Sequence, residues 1–188
     1  MPILRRRQGT STRSTATLPL EMREQLREPA LGAVPLDAEG STWAVATASS
    51  LVVFNGRSGP ETHPWDEVEQ GSWDGQDRVF TLRWTQQDRE DLALKVPAGV
   101  RNGDAYVSAD VAPFAKALRQ RVEAAIIHSA VATLPSGATA TASVRRGNDG
   151  ELYSVTRPLI SQVDEAEDRR TLQELENRVR EGVGLPTR

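Results

Sequence analysis

Two histidines are the side chains of this sequence best suited to proton transfer or metal binding. His63 precedes Pro64 and lies near Asp66 and Glu67, whereas His128 lies in a mostly apolar stretch further along the chain. Neither has a spacing such as HExxH, which places two histidines on one helix face for a metal ion. The chain lacks cysteine, so thiolate zinc sites and cysteine nucleophiles are excluded. We therefore predict no catalytic residue, no metal ligand and no cofactor.

Motifs for nucleotide binding and for serine hydrolysis are absent. The sequence contains no GxxxxGK[ST], no GxGxxG and no GxSxG pattern. A catalytic triad built from distant residues stays open, and His63 or His128 would have to be its base. On these grounds we predict that the protein is not an enzyme.

Carboxylates and tryptophans are concentrated between residues 65 and 77. A carboxylate pair could carry out acid–base chemistry, whereas a solvated acidic edge beside partly buried tryptophans is the structural alternative. If the group is functional, it resembles a partner-binding surface, because tryptophan is enriched at interaction hot spots. The candidate partner-binding residues are Trp65, Asp66, Glu67 and Trp73. Whether both rings are exposed is the discriminating observation, and burial of both would rule the hypothesis out.

Arginines form two further groups. Arg145, Arg146 and Arg157 belong to a predicted hairpin and are candidates for binding an anion, with protection of a strand edge as the alternative. The first 17 residues contain four arginines and no acidic residue. They could contact nucleic acid or anionic lipid, and a plain disordered terminus is the alternative. The members of this second group are Arg5, Arg6, Arg7 and Arg13.

Composition indicates an ordinary globular protein rather than a basic nucleic-acid-binding one. The 188 residues carry a net charge of −3, with 38% hydrophobic and 26% charged residues. This length suits one domain, or one domain with an added unit. Residues 40–109 hold ten acidic and six basic side chains, so nucleic acid and membrane are not favoured as partners. No apolar stretch follows the basic start, as a signal peptide would require, which predicts a cytoplasmic protein.

The pattern of apolar residues predicts an α+β fold. Residues 1–17 read as a disordered basic tail rich in serine and threonine, and residues 18–28 as a short helix. Between residues 30 and 108, six or seven short strands recur about every ten residues, which favours an antiparallel meander. Residues 110–130 form the clearest amphipathic helix, with His128 at its C-terminal end, where a positive charge is favourable.

The last third of the chain is predicted to be a β-hairpin followed by a helix. Residues 138–146 and 151–157 alternate around the turn at 147–150, and residues 164–180 form the terminal helix. An isolated hairpin is marginal in water, so it should pack on the first unit. The predicted organisation is therefore a tail (1–17), a sheet unit with its helix (18–134) and a docked hairpin with a helix (135–188).

The order of elements between residues 30 and 130 is similar to the pleckstrin-homology-like (PH-like) architecture. That resemblance implies a bent antiparallel sheet, or partly open barrel, which the helix at 110–130 closes at one end. Phosphoinositide-binding members carry lysines and arginines in the first strand-to-strand loop. Here that loop, at residues 37–42, is acidic, so the resemblance implies a fold and not lipid binding.

Several sequence segments also resemble a family of small uncharacterised actinobacterial proteins. The Arg-rich composition, in which only Lys95 and Lys116 are lysines, is consistent with such a GC-rich source. The resemblance would cover about residues 30–185 and implies no activity, cofactor or site residue. The segments that carry it are Trp43-Ala44-Val45-Ala46-Thr47, Leu51-Val52-Val53, Pro64-Trp65-Asp66-Glu67-Val68, Trp73-Asp74, Arg121-Val122-Glu123-Ala124, Val144-Arg145-Arg146 and Gly184-Leu185.

Together, these observations predict a non-enzymatic cytoplasmic binding or adaptor module with a protein partner. Two alternatives stay open: a peripheral binder of anionic lipid or nucleic acid that uses its arginines, and a small-molecule carrier or enzyme with a cavity in the barrel. A homodimer through the hairpin edge or the last helix also stays open.

Overall fold

The structure, a computed structural model, describes residues 15–56 and 59–187. It confirms the α+β class, with strands that pair antiparallel into sheets. Within those ranges the elements are α1 (Leu20–Glu24), β1 (Gly32–Pro35), β2 (Trp43–Ala46), β3 (Ser50–Asn55), β4 (Gly59–Pro64), β5 (Val68–Asp74), β6 (Val79–Trp84), β7 (Leu92–Lys95), β8 (Gly99–Asn102), β9 (Ala105–Ser108), α2 (Ala112–Ala125), β10 (Ile126–Thr133), β11 (Thr139–Arg146), β12 (Leu152–Arg157) and α3 (Ala166–Glu181).

Two sheets and one helix form the main core of the first lobe, by which we mean residues 15–125. The sheets have the strand orders β1-β2-β3-β4 and β5-β6-β7, and α2 lies against their edge strands β1 and β5. Phe114, Leu118 and Val122 on one face of α2 join Phe80 and Leu82 in this core. The alternation of buried and exposed residues along β6 is the period-two pattern expected of a strand with one buried face.

The N-terminal segment packs on the other face of the four-stranded sheet. Leu18, Met22 and Leu26 contact Trp43 and its apolar neighbours there. The predicted helix over 18–28 is confined to Leu20–Glu24. A helix this short is marginal in water by itself and depends on docking for its stability. Residues 15–17 were predicted to be disordered, but the Ala16 amide donates to the Ser108 carbonyl at 2.9 Å. Residues 1–14 of the predicted tail lie outside the described residues.

The prediction of a helix over residues 110–130 is wrong at its C-terminal end. Helix α2 ends at Ala125, and the chain continues directly as strand β10 from Ile126. The residues after Ala125 include Ile126, Ile127 and Val131, whose β-branched side chains favour a strand. His128 therefore lies in a strand and not at the end of α2.

The second lobe, residues 126–187, is a three-stranded sheet covered by α3. The sheet has the order β10-β11-β12, so the predicted hairpin at 138–157 gains β10 as a third strand. Leu172, Leu175 and Val179 of α3 pack on Ala142 and Val144 of β11. This extra strand supplies the pairing that an isolated hairpin would lack.

Candidate functional site

Trp65 belongs to the core and not to a surface. Its side chain is only 4% exposed, and its indole N–H donates to the Thr47 carbonyl at 3.0 Å. Trp65 therefore cannot contribute its ring to the candidate partner-binding surface, because the ring fills space in the first lobe. Trp73 is half-buried and packs on Phe80, with 4.3 Å between ring centroids.

Asp66 lies where the two lobes meet. Its carbonyl accepts a hydrogen bond from the Tyr153 hydroxyl at 2.6 Å, while its side-chain Oδ1 is buried without a hydrogen-bond partner. Burial raises the pKa of the Asp66 carboxyl, and the neighbouring charge of Glu67 acts in the same direction. Glu67 itself pairs with Arg89 at 3.1 Å. The Glu67 carboxylate thus forms an internal ion pair, whereas Asp66 joins the lobes through its main-chain carbonyl.

Arg145 holds the second lobe against the first. It is 1% exposed and donates to the carbonyl oxygens of Trp65, Asp66 and Val68, at 3.5, 3.2 and 2.5 Å. Burial lowers the pKa of its guanidinium. Because its donors point at carbonyl groups of the protein, Arg145 cannot serve as the predicted anion-binding residue.

The other two arginines of the predicted anion site differ from each other, because Arg157 also joins the lobes whereas Arg146 does not. Arg157 pairs with Glu69 of β5 and donates to the Trp84 carbonyl at 3.4 Å. Hydrogen bonding to Glu69 raises the pKa of Arg157. Arg146 is exposed. The structure does not bring the three guanidinium groups together on one anion, and the four tail arginines lie outside the described residues.

Each histidine has a structural environment of its own. The His63 Nδ1 atom lies 2.9 Å from an Arg89 guanidinium nitrogen, and Arg89 stacks on the Trp84 ring. Burial lowers the pKa of His63, and Arg89 contributes in the same direction. His128 is exposed on β10 and lies beside Gly182, the residue that ends α3. In the part of the chain that the structure describes, no three His, Asp or Glu side chains are grouped to hold a metal ion.

A cleft of about 610 Å³ separates the lobes on one side. Tyr153, Ser154 and Glu176 line it from the second lobe, and Glu67 and Gln87 line it from the first. The Ser154 hydroxyl donates to Glu176 at 2.5 Å, and Arg180 donates to the same hydroxyl at 2.8 Å. The buried polar groups on this wall are therefore satisfied within the protein.

A second concave region lies between strand β5 and helix α2, and we call it the β5–α2 groove. Its volume is about 430 Å³. The Trp73 and Phe80 rings pack against each other along it at an interplanar angle of 38°, and Phe80 in turn packs edge-on against Phe114 of α2. The lining residues are Gly71, Ser72, Trp73 and Phe80 from the sheet and Ala112, Ala115, Lys116, Leu118 and Arg119 from the helix.

Small residues create this groove. A Cβ atom on Gly71 would lie 3.0 Å from Leu118 side-chain carbons, so glycine allows the helix to approach β5 closely. Ala112 and Ala115 occupy the positions on α2 where longer side chains would fill the space. Gly71 thus sets the distance between the helix and β5, while Ala112 and Ala115 leave the groove open on the helix side.

The backbone of β5 is free along the groove. β5 is the edge strand of its sheet and pairs only with β6 among the described strands. The second lobe contacts the beginning of β5, where the Val68 carbonyl accepts a hydrogen bond from Arg145 and Glu69 forms an ion pair with Arg157. This leaves Gln70–Asp74 as an exposed edge with unpaired N–H and C=O groups, which is a template for another strand.

Of the residues that line this groove, only Trp73 was a candidate site residue from its sequence context. Gly71, Ala115 and Leu118 come together through tertiary packing, and no local pattern links a strand edge to a helix some forty residues further along the chain. The glycine inside the β5 segment was the one local signal, since glycine in a strand can mark close approach of another backbone or element.

Comparison with protein-family models, curated proteins and solved structures finds no match. None of the described helices is long and apolar enough to cross a membrane.

Proposed function

We propose that this protein is a non-enzymatic cytoplasmic binding module that takes an extended segment of a partner protein as an added strand on β5. The observation that carries the proposal is the free edge of β5 at Gln70–Asp74 beside the β5–α2 groove. In strand addition, main-chain hydrogen bonds supply affinity and alternate side chains supply specificity. Both parts of such a site are present here.

The dimensions of the site fit a short segment. The five residues of the free edge, Gln70–Asp74, span about 17 Å, and this length limits how many residues of a partner strand can pair with the edge. Side chains of the added strand would point alternately toward the groove and away from it. The face that meets the groove would contact Trp73 and Leu118, so part of the partner's apolar surface would be buried.

The proposal includes a PH-like architecture for residues 32–125. Its support is the order of seven antiparallel strands in two sheets, followed by a helix that contacts both sheet edges. The β8–β9 hairpin is an addition between the last of those strands and the helix. In this arrangement α2 and the β5 edge necessarily lie side by side, which is what creates the groove.

The arginine-based alternative has less support. Two of its three hairpin arginines, Arg145 and Arg157, are held by groups of the first lobe, and its four tail arginines lie outside the described residues. A solvent-facing anion would have to compete with those contacts. The carrier or enzyme alternative requires a cavity in the barrel. It has less support because buried side chains such as Phe80, Leu82 and Phe114 pack together between the sheets and α2.

The test is a selection of binding peptides followed by a steric block. A random phage-displayed library of peptides of about twelve residues is selected against the protein, since a segment of this length more than covers the free edge. Affinities of the selected peptides are then measured by fluorescence anisotropy for the wild type and for Ala115→Gln. Glutamine is helix-compatible but extends into the groove, so we expect affinity to fall at least about tenfold.

Ala124→Gln is the matched control, because Ala124 is exposed on the same helix and does not line the groove. It should leave affinity unchanged. Circular dichroism establishes that both variants remain folded. A selection without enriched peptides, or equal binding by Ala115→Gln, would contradict the proposed function.

A further inference from the structure

We infer that the segment bound in the β5–α2 groove is acidic and carries at least one large apolar side chain. This inference rests on the proposed function and deepens it by giving the chemistry of the partner. It is based on the charged and apolar side chains that line the groove. These side chains are a separate observation from the free backbone edge of β5, which would pair with the main chain of the partner.

The charged residues that line the groove are both positive. Lys116 and Arg119 are exposed, and neither forms an ion pair with any described residue. They are three positions apart on α2, so both side chains lie on the same side of the helix. Such unpaired cations at the rim of a groove favour acidic groups on the partner and raise the rate of association.

The charge around the groove is not uniform along β5. Lys116 and Arg119 line the groove from the side of α2. Asp74 stands at the end of β5, where its side chain accepts from the Gln76 and Asp77 amides at 2.8 and 3.0 Å. The acidic residues of the partner should accordingly lie opposite Lys116 and Arg119 and away from Asp74.

The floor of the groove is apolar and aromatic. Trp73 packs against Phe80, and Leu118 and Ala115 line the groove from the helix. Trp73 is only half-buried, so part of its surface is still in water, and the Arg78 guanidinium lies 5.8 Å from its ring centroid. A large apolar side chain entering here would remove this surface from water, and such anchors carry most of the energy in many interfaces.

Charge reversal tests the inference. The peptide selection is repeated against Lys116→Glu/Arg119→Glu, and the peptides enriched on the two proteins are compared. The wild type should enrich peptides with net negative charge and an aromatic or aliphatic residue, and the variant should enrich basic ones. Acidic peptides from the wild-type selection should bind the variant at least about tenfold more weakly.

Lys95→Glu/Arg146→Glu is the matched control. Both residues are exposed, neither lines the groove, and the change in net charge is the same. This control should bind the acidic peptides as the wild type does. Equal loss in the control would show that the effect is one of net charge, and would overturn the inference.

The outcomes separate this inference from the proposed function. If the wild type enriches neutral or basic peptides that Ala115→Gln still excludes, the groove binds a segment but its chemistry is not the one inferred. If Ala115→Gln binds every enriched peptide as the wild type does, the proposed function fails, and the inference fails with it.

Discussion

Arg145 is the residue on which the contact between the lobes depends most. Its guanidinium is buried against three carbonyl oxygens, so its removal would leave acceptors unsatisfied, at about 1–3 kcal/mol for each group that stays dry. We predict that Arg145→Met lowers the free energy of unfolding by about 2–4 kcal/mol. Urea denaturation measures this value.

Arg146→Met is the control for that prediction, since its side chain is exposed on the same strand. Its effect should stay within about 0.5 kcal/mol of zero. Similar losses in the two variants would show that Arg145 has no special role in docking the lobes.

His63 should make stability depend on pH. Its pKa in the folded protein lies below the ordinary value of 6.5, because burial and Arg89 disfavour the charged ring. As the pH falls through 6.5, the unfolded chain therefore binds a proton that the folded protein does not, and stability decreases until the lower folded pKa is reached. The slope from this group cannot exceed about 1.4 kcal/mol per pH unit.

The measurement is urea denaturation of the wild type and of His63→Gln at several values from about pH 7.5 to about pH 5.5, the range in which an ordinary histidine titrates. The wild type should lose stability relative to the variant as the pH falls. A constant difference between the two proteins across this range would refute the assignment of a neutral His63.

At the scale of elements, the contact between α2 and β1 requires a glycine. A Cβ atom on Gly32 would lie 2.6 Å from backbone atoms of Pro113 and Phe114. Gly32→Ala must therefore displace the start of α2, and we predict a loss of about 1–3 kcal/mol in the free energy of unfolding, the cost of an overpacked core.

Gly75→Ala provides the comparison, because its new Cβ atom would meet nothing closer than 3.5 Å. Thermal and urea unfolding of both variants should show a loss for Gly32→Ala alone. Equal stability of the two variants would mean that the helix does not rest on β1 as described.

Local patterns in the sequence predicted most of the elements but not all of their boundaries. Alternation identified β6, where Phe80, Leu82 and Trp84 face the core. The boundary between α2 and β10 was missed because Ala124 and Ala125 suit the helix, while Ile126 and Ile127 also continue its apolar stripe. Only pairing with β11 makes the strand the favoured state there.

At the scale of the whole molecule, two apolar cores are joined by polar contacts. The first and second lobes have separate clusters of buried residues, while Arg145, Tyr153 and Arg157 reach from one lobe to the backbone or carboxylates of the other. All four tryptophans belong to the first lobe. Tryptophan fluorescence therefore reports unfolding of that lobe, whereas far-UV circular dichroism reports both.

We predict that the two signals give one coincident urea transition in the wild type, since coincidence of probes is a test of two-state unfolding. In Arg145→Met/Arg157→Met the transitions should separate, because the docking contacts are lost while both cores remain. Coincident transitions in this variant would mean that other contacts join the lobes.

The candidate site is formed by the packing of the whole molecule, which explains why so few of its residues could be identified from the sequence. Trp73 is recognisable as a tryptophan near acidic residues, but whether it or Trp65 faces solvent is decided by the packing of the core. Likewise, Arg145 and Arg146 are neighbours with the same chemistry in the sequence. One is buried and the other exposed because side chains alternate across the sheet.

Hydrogen–deuterium exchange of the protein with and without a selected peptide tests the central claim most directly. Strand addition predicts that about half of the amides in Gln70–Asp74, those that point away from β6, exchange more slowly when the peptide is bound. The edge strand β4 is the internal reference and should not change. A peptide that is bound at saturation but leaves the exchange of Gln70–Asp74 unaltered would contradict the account.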